Sequence, residues 1–212
     1  MKPYNPLDKR NLGVSVANAL LESPVHPLGG QERFPGSGVY AIYYVGGFDC
    51  YRALSRANAE ARYTSPIYVG KAIPAGGRKG NVNEDATHTA LWKRLREHAS
   101  SIDAVENLGL EDFLCRYLVV DDIWIPLGES LLITKFCPLW NKMVDGFGNH
   151  DPGSGRHRGK RSRWDVLHPG RPWAEKCQPR EETRAQIAAE VENWLAANAT
   201  LIEANLEKPK LG

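Results

Sequence analysis

The amino-acid sequence predicts an α+β fold, in which short strands and amphipathic helices share one core. Three runs rich in β-branched and aromatic residues predict strands, and apolar residues at helical spacing lie between and around them. The predicted order of the central elements is strand, strand, helix, strand, helix. The 212 residues, of which 42% are hydrophobic, are enough to bury one interior.

The central strand is predicted at Gly38–Tyr44, where β-branched and aromatic residues dominate. Period-two alternation divides it into two faces, with Tyr40, Ile42 and Tyr44 against Val39, Ala41 and Tyr43. A short second strand is predicted at residues 67–70, after Pro66, and a third at residues 113–120. Glycine, proline and polar residues predict loops at residues 24–35, 72–83 and 146–155.

Five segments predict helices, namely residues 8–22, 49–62, 89–100, 125–136 and 181–206. The first would begin at an N-cap, Asp8, and the fourth tolerates Pro126 in its first turn. The second forms a helical insertion between the first two strands. The last carries an apolar side formed by Ile187, Val191, Trp194, Leu195 and Ile202. We expect that side to pack on the protein's own core rather than on a partner.

Composition and cysteine spacing exclude several classes of protein. A net charge of +2 is too small to indicate a polyanionic partner by itself, so that argument must come from local clusters of charge. No C-x-x-C pair occurs among Cys50, Cys115, Cys137 and Cys177, which favours reduced packing thiols over a zinc site or disulfides. Residues 1–7 lack the apolar core of a signal peptide, and no stretch is long enough to cross a bilayer. We therefore expect a cytoplasmic protein.

The helix predicted at residues 89–100 combines an apolar stripe with a basic edge. The stripe is formed by Leu91, Leu95 and Ala99. Arg94 and His98 lie side by side along its edge, so both side chains are expected to be half buried. Glu97 would project to the opposite side and Arg96 would lie off this edge, so Arg94 is the better partner for His98. Taken alone, the helix favours an exposed basic edge as the simpler interpretation.

Glu129 interrupts the apolar helix predicted at residues 125–136. Its neighbours are Leu127, Leu131, Leu132 and Ile133. Carboxylates are rarely buried unless they are paired or bind a cation, so a metal-facing role is one interpretation of Glu129. A Mg²⁺ ion binds few protein carboxylates and keeps several waters, so one glutamate can suffice. An exposed helix position or an ion pair is the alternative.

Two tyrosine motifs, Gly38-Val39-Tyr40 and Tyr68-Val69-Gly70, precede an ordered set of polar residues. That set is Arg94, His98 and Glu129, closed by Pro138 and Asn141. Together they resemble the GIY-YIG nuclease superfamily over residues 37–142, with valine in place of each isoleucine. The resemblance implies a GIY-YIG nuclease core with a small, mainly antiparallel, three-stranded sheet flanked by helices.

The resemblance also implies roles in the hydrolysis of a phosphodiester. Glu129 would hold a single Mg²⁺ ion, for which Mn²⁺ would substitute. Arg94 would neutralise charge on the phosphate with its planar guanidinium. Tyr68 and Asn141 would orient the phosphate and its neighbouring groups.

Tyr40 would contact the attacking water, but a phenol with a pKa of about 10 is protonated near neutral pH. Either a neighbouring cation, Lys71 or Arg94, lowers that pKa, or His98 accepts the proton through Tyr40. We favour Tyr40 as the base with His98 as its hydrogen-bonded relay. Without the accompanying residues, Tyr40 and Tyr68 would be interpreted as ordinary core aromatics.

Segments outside the compact core divide the chain into three parts. These are an N-terminal helical extension at 1–36, the catalytic core at 37–142 with an insertion at 45–65, and a basic segment with a helix at 143–212. The last part is expected to pack on the core as one domain. The additions resemble those of the type II restriction endonucleases in the superfamily, whose appended segments wrap duplex DNA.

A basic run near the C-terminus predicts the contact with DNA. Residues 156–163 carry five formal positive charges and no acid, which is typical of a phosphate-binding stripe with steep salt dependence. A solvated loop is the alternative for this run. The predicted DNA-contacting residues are Arg78, Lys79, Asn149, His150, Arg156, Arg158, Lys160, Arg161, Arg163 and Arg171.

These expectations combine into a site-specific endonuclease that cleaves double-stranded DNA. Arginine pairs bidentately with guanine, so a short GC-rich palindrome is the expected site, and a homodimer would match its symmetry. A cognate DNA methyltransferase, not in contact with the enzyme, would accompany such an activity. The alternatives are a structure-selective repair or homing nuclease of the same superfamily and a non-catalytic DNA-binding protein.

Overall fold

The computed structural model describes residues 8–73, 88–151, 153 and 158–207. Some sequence-based expectations lie outside the described residues, namely the character of residues 1–7, the loop at 74–83 with Arg78 and Lys79, and the position of Arg156.

A four-stranded antiparallel sheet with the strand order β1-β4-β2-β3 forms the centre of the fold. Its strands are β1 (His26–Pro27), β2 (Gly38–Tyr44), β3 (Tyr68–Ala72) and β4 (Phe113–Val119). The α+β class and the antiparallel core of β4, β2 and β3 are confirmed. The loop predicted at residues 24–35 is wrong at one point, because His26 and Pro27 pair with β4 and add a short edge strand.

Helices cover both faces of this sheet. Those in the described part of the chain are α1 (Lys9–Glu22), α2 (Arg52–Asn58), α3 (Ala90–Asp103), α4 (Ile125–Phe136), α5 (Leu139–Lys142), α6 (Arg163–Leu167), α7 (Arg184–Ala197) and α8 (Ala199–Glu207). The bounds of α4 agree with the prediction, and Pro126 lies in its first turn. No helix in the described segments is long and apolar enough to span a bilayer.

The insertion helix is shorter than the sequence predicted. After α2 ends at Asn58, Glu60 and Ala61 adopt positive φ angles of 57° and 59°, which no α-helix accommodates. The side-chain amide of Asn58 donates to the carbonyl of Tyr44 at 3.1 Å and to that of Ser65 at 2.9 Å. Asn58 therefore ties together the two ends of the insertion that separates β2 from β3.

The long C-terminal helix predicted from the sequence is interrupted at Asn198. The side chain of Asn198 donates to the carbonyl of Trp194 at 2.8 Å, and such local bonds compete with the helical backbone. Buried residues of α7 join the larger core cluster, namely Ile187, Val191 and Leu195. The prediction that this side packs on the protein's own core is confirmed.

The two faces of β2 belong to two different core clusters, and every residue of the strand is buried. Tyr40, Ile42 and Tyr44 lie in the larger cluster with residues of α3, α5 and α7, whereas Val39, Ala41 and Tyr43 lie in the smaller one with residues of α1 and α4. This division follows the predicted alternation. Cys50 and Cys115 are buried in the larger cluster as free thiols.

Candidate active site

Four of the predicted catalytic side chains gather on the β2 face that carries Tyr40. The register places Tyr40 opposite Gly70 and Ile42 opposite Tyr68, so both tyrosines project from the same face of the sheet. Helix α3 brings His98 to a ring-centroid distance of 5.3 Å from each tyrosine. The two tyrosine rings are 6.2 Å apart. Three titratable rings from β2, β3 and α3 therefore share one site.

Close packing explains why glycine occupies these positions in the two tyrosine motifs. A Cβ at Gly70 would collide with the hydroxyl of Tyr40. A Cβ at Gly38 would collide with the carbonyl of Leu118 on the neighbouring strand. Glycine lets another group approach the backbone closely, so these positions set the distance between the strands and the place of the Tyr40 hydroxyl.

Tyr40 and His98 form a buried hydrogen-bonded pair, with 2.6 Å between Tyr40 Oη and His98 Nε2. Burial, and then the nearby Tyr68, raise the pKa of Tyr40 well above its usual value, while Arg94 opposes this shift. Burial, and then the positive charge of Arg94, lower the pKa of His98 well below its usual value. Both partners are therefore neutral near neutral pH. Arg94 lowers the pKa of Tyr40 without outweighing burial, so the option in which a neighbouring cation brings that pKa below its ordinary value is wrong for this structure.

Residues 146–150 form a wall of the site. The sequence assigned Asn149 and His150 to contact with DNA, but it gave no role to Phe147 or Gly148. The Phe147 ring stacks on His98, with centroids 4.5 Å apart and an interplanar angle of 17°. His98 is consequently only 1% exposed, so the predicted half burial is wrong. A Cβ at Gly148 would lie 2.8 Å from Tyr68 Oη, so Gly148 also packs directly against the site. The sequence offered one signal for this wall, because Phe147 is a large apolar residue in a predicted loop and such residues are mostly buried.

Arg94 is held at the edge of this site by several groups. Its side chain is 20% exposed and pairs with Glu97 at 3.0 Å. Its Nη2 donates to the carbonyl of Gly148 at 2.9 Å, and its Nη1 contacts His150 Nε2. The prediction that Glu97 projects to the opposite side is wrong, because its carboxylate contacts Arg94. Arg96 instead donates to the carbonyl of Gly29 at 3.0 Å, as expected for a residue off this edge.

Glu129 and Lys71 form an ion pair beside β3, with Lys71 Nζ 2.7 Å from Glu129 Oε2. Lys71 is opposite Val39 in the ladder, so its side chain leaves β3 on the face opposite to Tyr40. After burial, which has the largest effect on each ring, the charge of Glu129 also raises the pKa of Tyr40 and of Tyr68. The ion-pair interpretation of Glu129 therefore holds in this structure, and its carboxylate acts on both tyrosines.

Asn141 uses both ends of its side-chain amide on the backbone of β3. Its Oδ1 accepts from the Val69 N–H at 2.8 Å, and its Nδ2 donates to the Val69 carbonyl at 2.8 Å. β3 is an edge strand, so Asn141 satisfies backbone groups that no neighbouring strand pairs. The structure thus places Asn141 as a clamp on the strand that carries Tyr68 and Lys71.

Acidic residues from other segments neutralise part of the basic run. The ion pairs are Lys160–Glu181 at 3.7 Å, Arg161–Glu175 at 3.0 Å, Arg163–Glu182 at 3.3 Å and Arg163–Glu190. The run itself contains no acid, but in the free protein the fold pairs Lys160, Arg161 and Arg163 with glutamates from other segments. Arg158 is exposed, and so are Asn149 and His150 next to Arg94.

Arg171 does not lie on the surface, and the prediction that it contacts DNA is wrong. The residue is 2% exposed. Its Nε and Nη2 donate to the two carboxylate oxygens of Asp165 at 2.7 and 2.8 Å. A guanidinium enclosed in this way is bound within the protein and is not free to reach a phosphate.

The fold and the site together define a GIY-YIG domain. Gly-Val-Tyr lies on the central strand, Tyr-Val-Gly on the edge strand, and the arginine, histidine and glutamate on the flanking helices. The family model described as the Eco29kI GIY-YIG domain matches residues 32–195, well over half of the chain. The chain belongs to this family of type II restriction endonucleases, which makes it a nuclease with DNA as its class of substrate. A search of individual curated proteins found no match.

Proposed function

We propose that the protein is a Mg²⁺-dependent, site-specific endonuclease for double-stranded DNA, acting as a type II restriction enzyme. The observation that carries this proposal is the buried Tyr40–His98 hydrogen bond, flanked by Tyr68 and Arg94 in a chain of this nuclease family. A neutral phenol bonded to a neutral imidazole is a proton path, and Arg94 supplies the positive charge that a phosphate requires.

Tyr40 and His98 act in one proton transfer. Burial disfavours a standing phenolate at Tyr40, and the lowered pKa of His98 keeps the imidazole neutral. The Tyr40 hydroxyl therefore donates to His98 Nε2. As the water oxygen attacks phosphorus, its proton moves to Tyr40 Oη while the Tyr40 proton moves to Nε2. Tyr40 is the group in contact with water, and His98 is the final acceptor.

Arg94 and Tyr68 bind the scissile phosphate. In the free protein the Arg94 guanidinium contacts Glu97, the Gly148 carbonyl and His150. An entering phosphate exchanges with the weaker of these partners and gains a charge-assisted, bidentate contact. Tyr68, beside Arg94, donates its hydroxyl to the same group. Asn141 acts by holding the backbone of the strand that carries Tyr68.

Glu129 fits the divalent metal ion that membership of this nuclease family implies. Its carboxylate is a hard oxygen ligand that already attracts a cation, the Lys71 ammonium. No group of three or more His, Cys, Asp or Glu side chains is arranged to hold a metal among the described residues. A Mg²⁺ or Mn²⁺ ion at Glu129 would thus keep most of its waters, and when bound it would supply Lewis-acid polarisation of the phosphate and stabilise the leaving oxygen. Lys71, which pairs with Glu129 in the free protein, would then be available to contact the phosphate.

The duplex lies over the exposed residues around the site. His150 contacts Arg94, and Asn149 and Arg158 are also exposed and available to DNA. Arg161 and Arg163 reach phosphates only by exchanging their glutamate partners. We propose a short GC-rich palindrome as the target, cut by a homodimer with one active site per strand. A separate methyltransferase protects host DNA.

Digestion of a long DNA of known sequence, followed by mapping of the ends, tests this proposal. With Mg²⁺ we expect discrete fragments whose ends share one short sequence, and no cleavage with EDTA. Cleavage confined to branched substrates would replace the proposal with a repair nuclease. Duplex binding without cleavage under any divalent ion would replace it with a non-catalytic DNA-binding protein.

A further inference from the structure

We propose that the buried pair of Arg171 and Asp165 is a positioning device for the active site. It fixes the backbone of residues 146–149, so that Phe147 holds the imidazole of His98 against Tyr40. This inference deepens the proposed function and rests on it for the catalytic consequence only, because the position of His98 can be measured without any cleavage.

Every N–H of the Arg171 guanidinium has an acceptor, and three of the acceptors are backbone carbonyls of one loop. Besides its two bonds to Asp165, Arg171 donates from Nη2 to Gly146 at 2.9 Å and from Nη1 to Phe147 at 3.1 Å and Asn149 at 3.2 Å. This arrangement uses the full planar fork of arginine, which lysine with its single ammonium cannot reproduce.

The pair itself is held rigidly from both sides. Trp164 and Trp173 lie against the guanidinium of Arg171, with its Cζ 4.4 and 4.6 Å from their ring centroids. The Ser162 hydroxyl donates to Asp165 Oδ2 at 2.6 Å, and the same hydroxyl accepts from the Asp165 N–H as the N-cap of α6. A buried ion pair stabilises a fold little by comparison with apolar packing, so its value here is the geometry that it imposes on the loop.

Phe147 transmits that geometry to the active site. Its carbonyl is bound by Arg171, and its ring is stacked on His98 and lies edge-on to Tyr68 at 5.0 Å and 79°. The ring is 1% exposed, so it both excludes water from the imidazole and fixes the plane in which Nε2 faces Tyr40. The carbonyl of the next residue, Gly148, accepts a hydrogen bond from Arg94. One loop therefore orients the proton acceptor and the phosphate-binding arginine together.

Phe147→Leu tests the link between the loop and His98, with Phe113→Leu as its matched control. Both phenylalanines are 1% exposed in the same core cluster, but Phe113 packs on Tyr44 and Trp140 rather than on His98. We expect Phe147→Leu to lower kcat about 10- to 100-fold with KM and duplex affinity unchanged, because a displaced acceptor impairs proton transfer and not binding. Phe113→Leu is expected to lose similar stability without a change in kcat.

The imidazole resonances of His98, followed by NMR in the DNA-free protein, give a readout independent of cleavage. The groups that face His98 are Tyr40 from β2, Tyr68 from β3, Arg94 from α3, and His150 and Arg171 from the C-terminal part. Phe147→Leu lets water reach the ring, so the pKa of His98 is expected to rise toward its ordinary value. Phe113→Leu is expected to leave that pKa unchanged.

Arg171→Lys tests the origin of the positioning. We expect the folded variant to show the same rise in the pKa of His98 and the same loss of kcat as Phe147→Leu, since lysine leaves loop carbonyls without donors. If Arg171→Lys does not fold, Phe147→Leu and its control still decide the matter. His98 resonances that stay unchanged in Phe147→Leu would overturn the inference. If Phe147→Leu shifts the His98 resonances but the wild-type protein cuts no DNA, the positioning is supported and the proposed function is refuted.

Discussion

Tyr40→Phe tests the proton path, because it removes the Tyr40 hydroxyl and keeps the aromatic ring. The phenyl ring keeps its place on this face of the sheet, and only the hydroxyl that bonds to His98 Nε2 at 2.6 Å is lost. Loss of a positioned acid–base group lowers the rate about 10²- to 10⁴-fold. The imidazole nitrogen left without a partner, at a residue 1% exposed, costs about 1–3 kcal/mol of folding free energy.

A second buried tyrosine–histidine pair provides the control. Tyr51 Oη lies 2.6 Å from His168 Nε2, outside the active site. Tyr51→Phe therefore removes the same kind of bond, together with the bond that Tyr51 Oη accepts from Trp140 Nε1 at 2.9 Å, and is expected to lower stability at least as much with cleavage intact. The assay is single-turnover cleavage with saturating enzyme, together with duplex affinity from fluorescence anisotropy and thermal unfolding. A Tyr40→Phe rate within about threefold of wild type, far less than a lost acid–base group produces, would refute the proton path.

Three further predictions follow from the same geometry. Glu129→Ala is expected to abolish cleavage while leaving duplex binding largely in place, and unchanged turnover would remove the metal assignment. Gly70→Ala is expected to reduce cleavage at least about tenfold, because its Cβ collides with the Tyr40 hydroxyl; a crystal structure with that hydroxyl unmoved would contradict the reason given. Burial lowers the pKa of His98 and of His168 in the folded state, so the unfolded chain binds protons first as the pH falls. The thermal midpoint is therefore expected to decrease below about pH 6.5, and an unchanged midpoint down to about pH 5 would contradict this linkage.

The fold was predictable where the local pattern and the tertiary packing agree. The alternation in β2 matches the two core clusters on its faces, and the apolar content of α4 matches its burial against α1 and the sheet. The predicted length of the insertion helix was wrong because the end of the helix depends on Asn58, whose side chain donates to the carbonyls of Tyr44 and Ser65. Helix propensity carries no information about such a contact, because it describes each residue against its immediate neighbours only.

The candidate site was predictable for residues that belong to an ordered motif on the core. Tyr40, Tyr68, Arg94 and His98 meet because strand register and helix period fix their directions. The contribution of Phe147 was not predictable, since it depends on the ion pair of Arg171 and Asp165, which binds the Phe147 carbonyl only in the folded protein. A count of positive charges treats Arg171 as it treats Arg158, although one is buried against Asp165 and the other is exposed.

The two tyrosine–histidine pairs differ in the charges around them, and this difference separates the proposed active site from a structural pair. Both have the same bond length, both are buried, and in both the pKa of the histidine is lowered by burial. Burial has the largest effect on the pKa of both tyrosines. The further effects on the pKa of Tyr51 come from Cys50, Trp140 and Tyr44. The pKa of Tyr40 also responds to the charges of Arg94 and Glu129. A proton path becomes useful only where a phosphate and a cation can approach it. The pair on β2 meets this condition through Arg94 and Glu129, and the pair at Tyr51 is enclosed by aromatic rings.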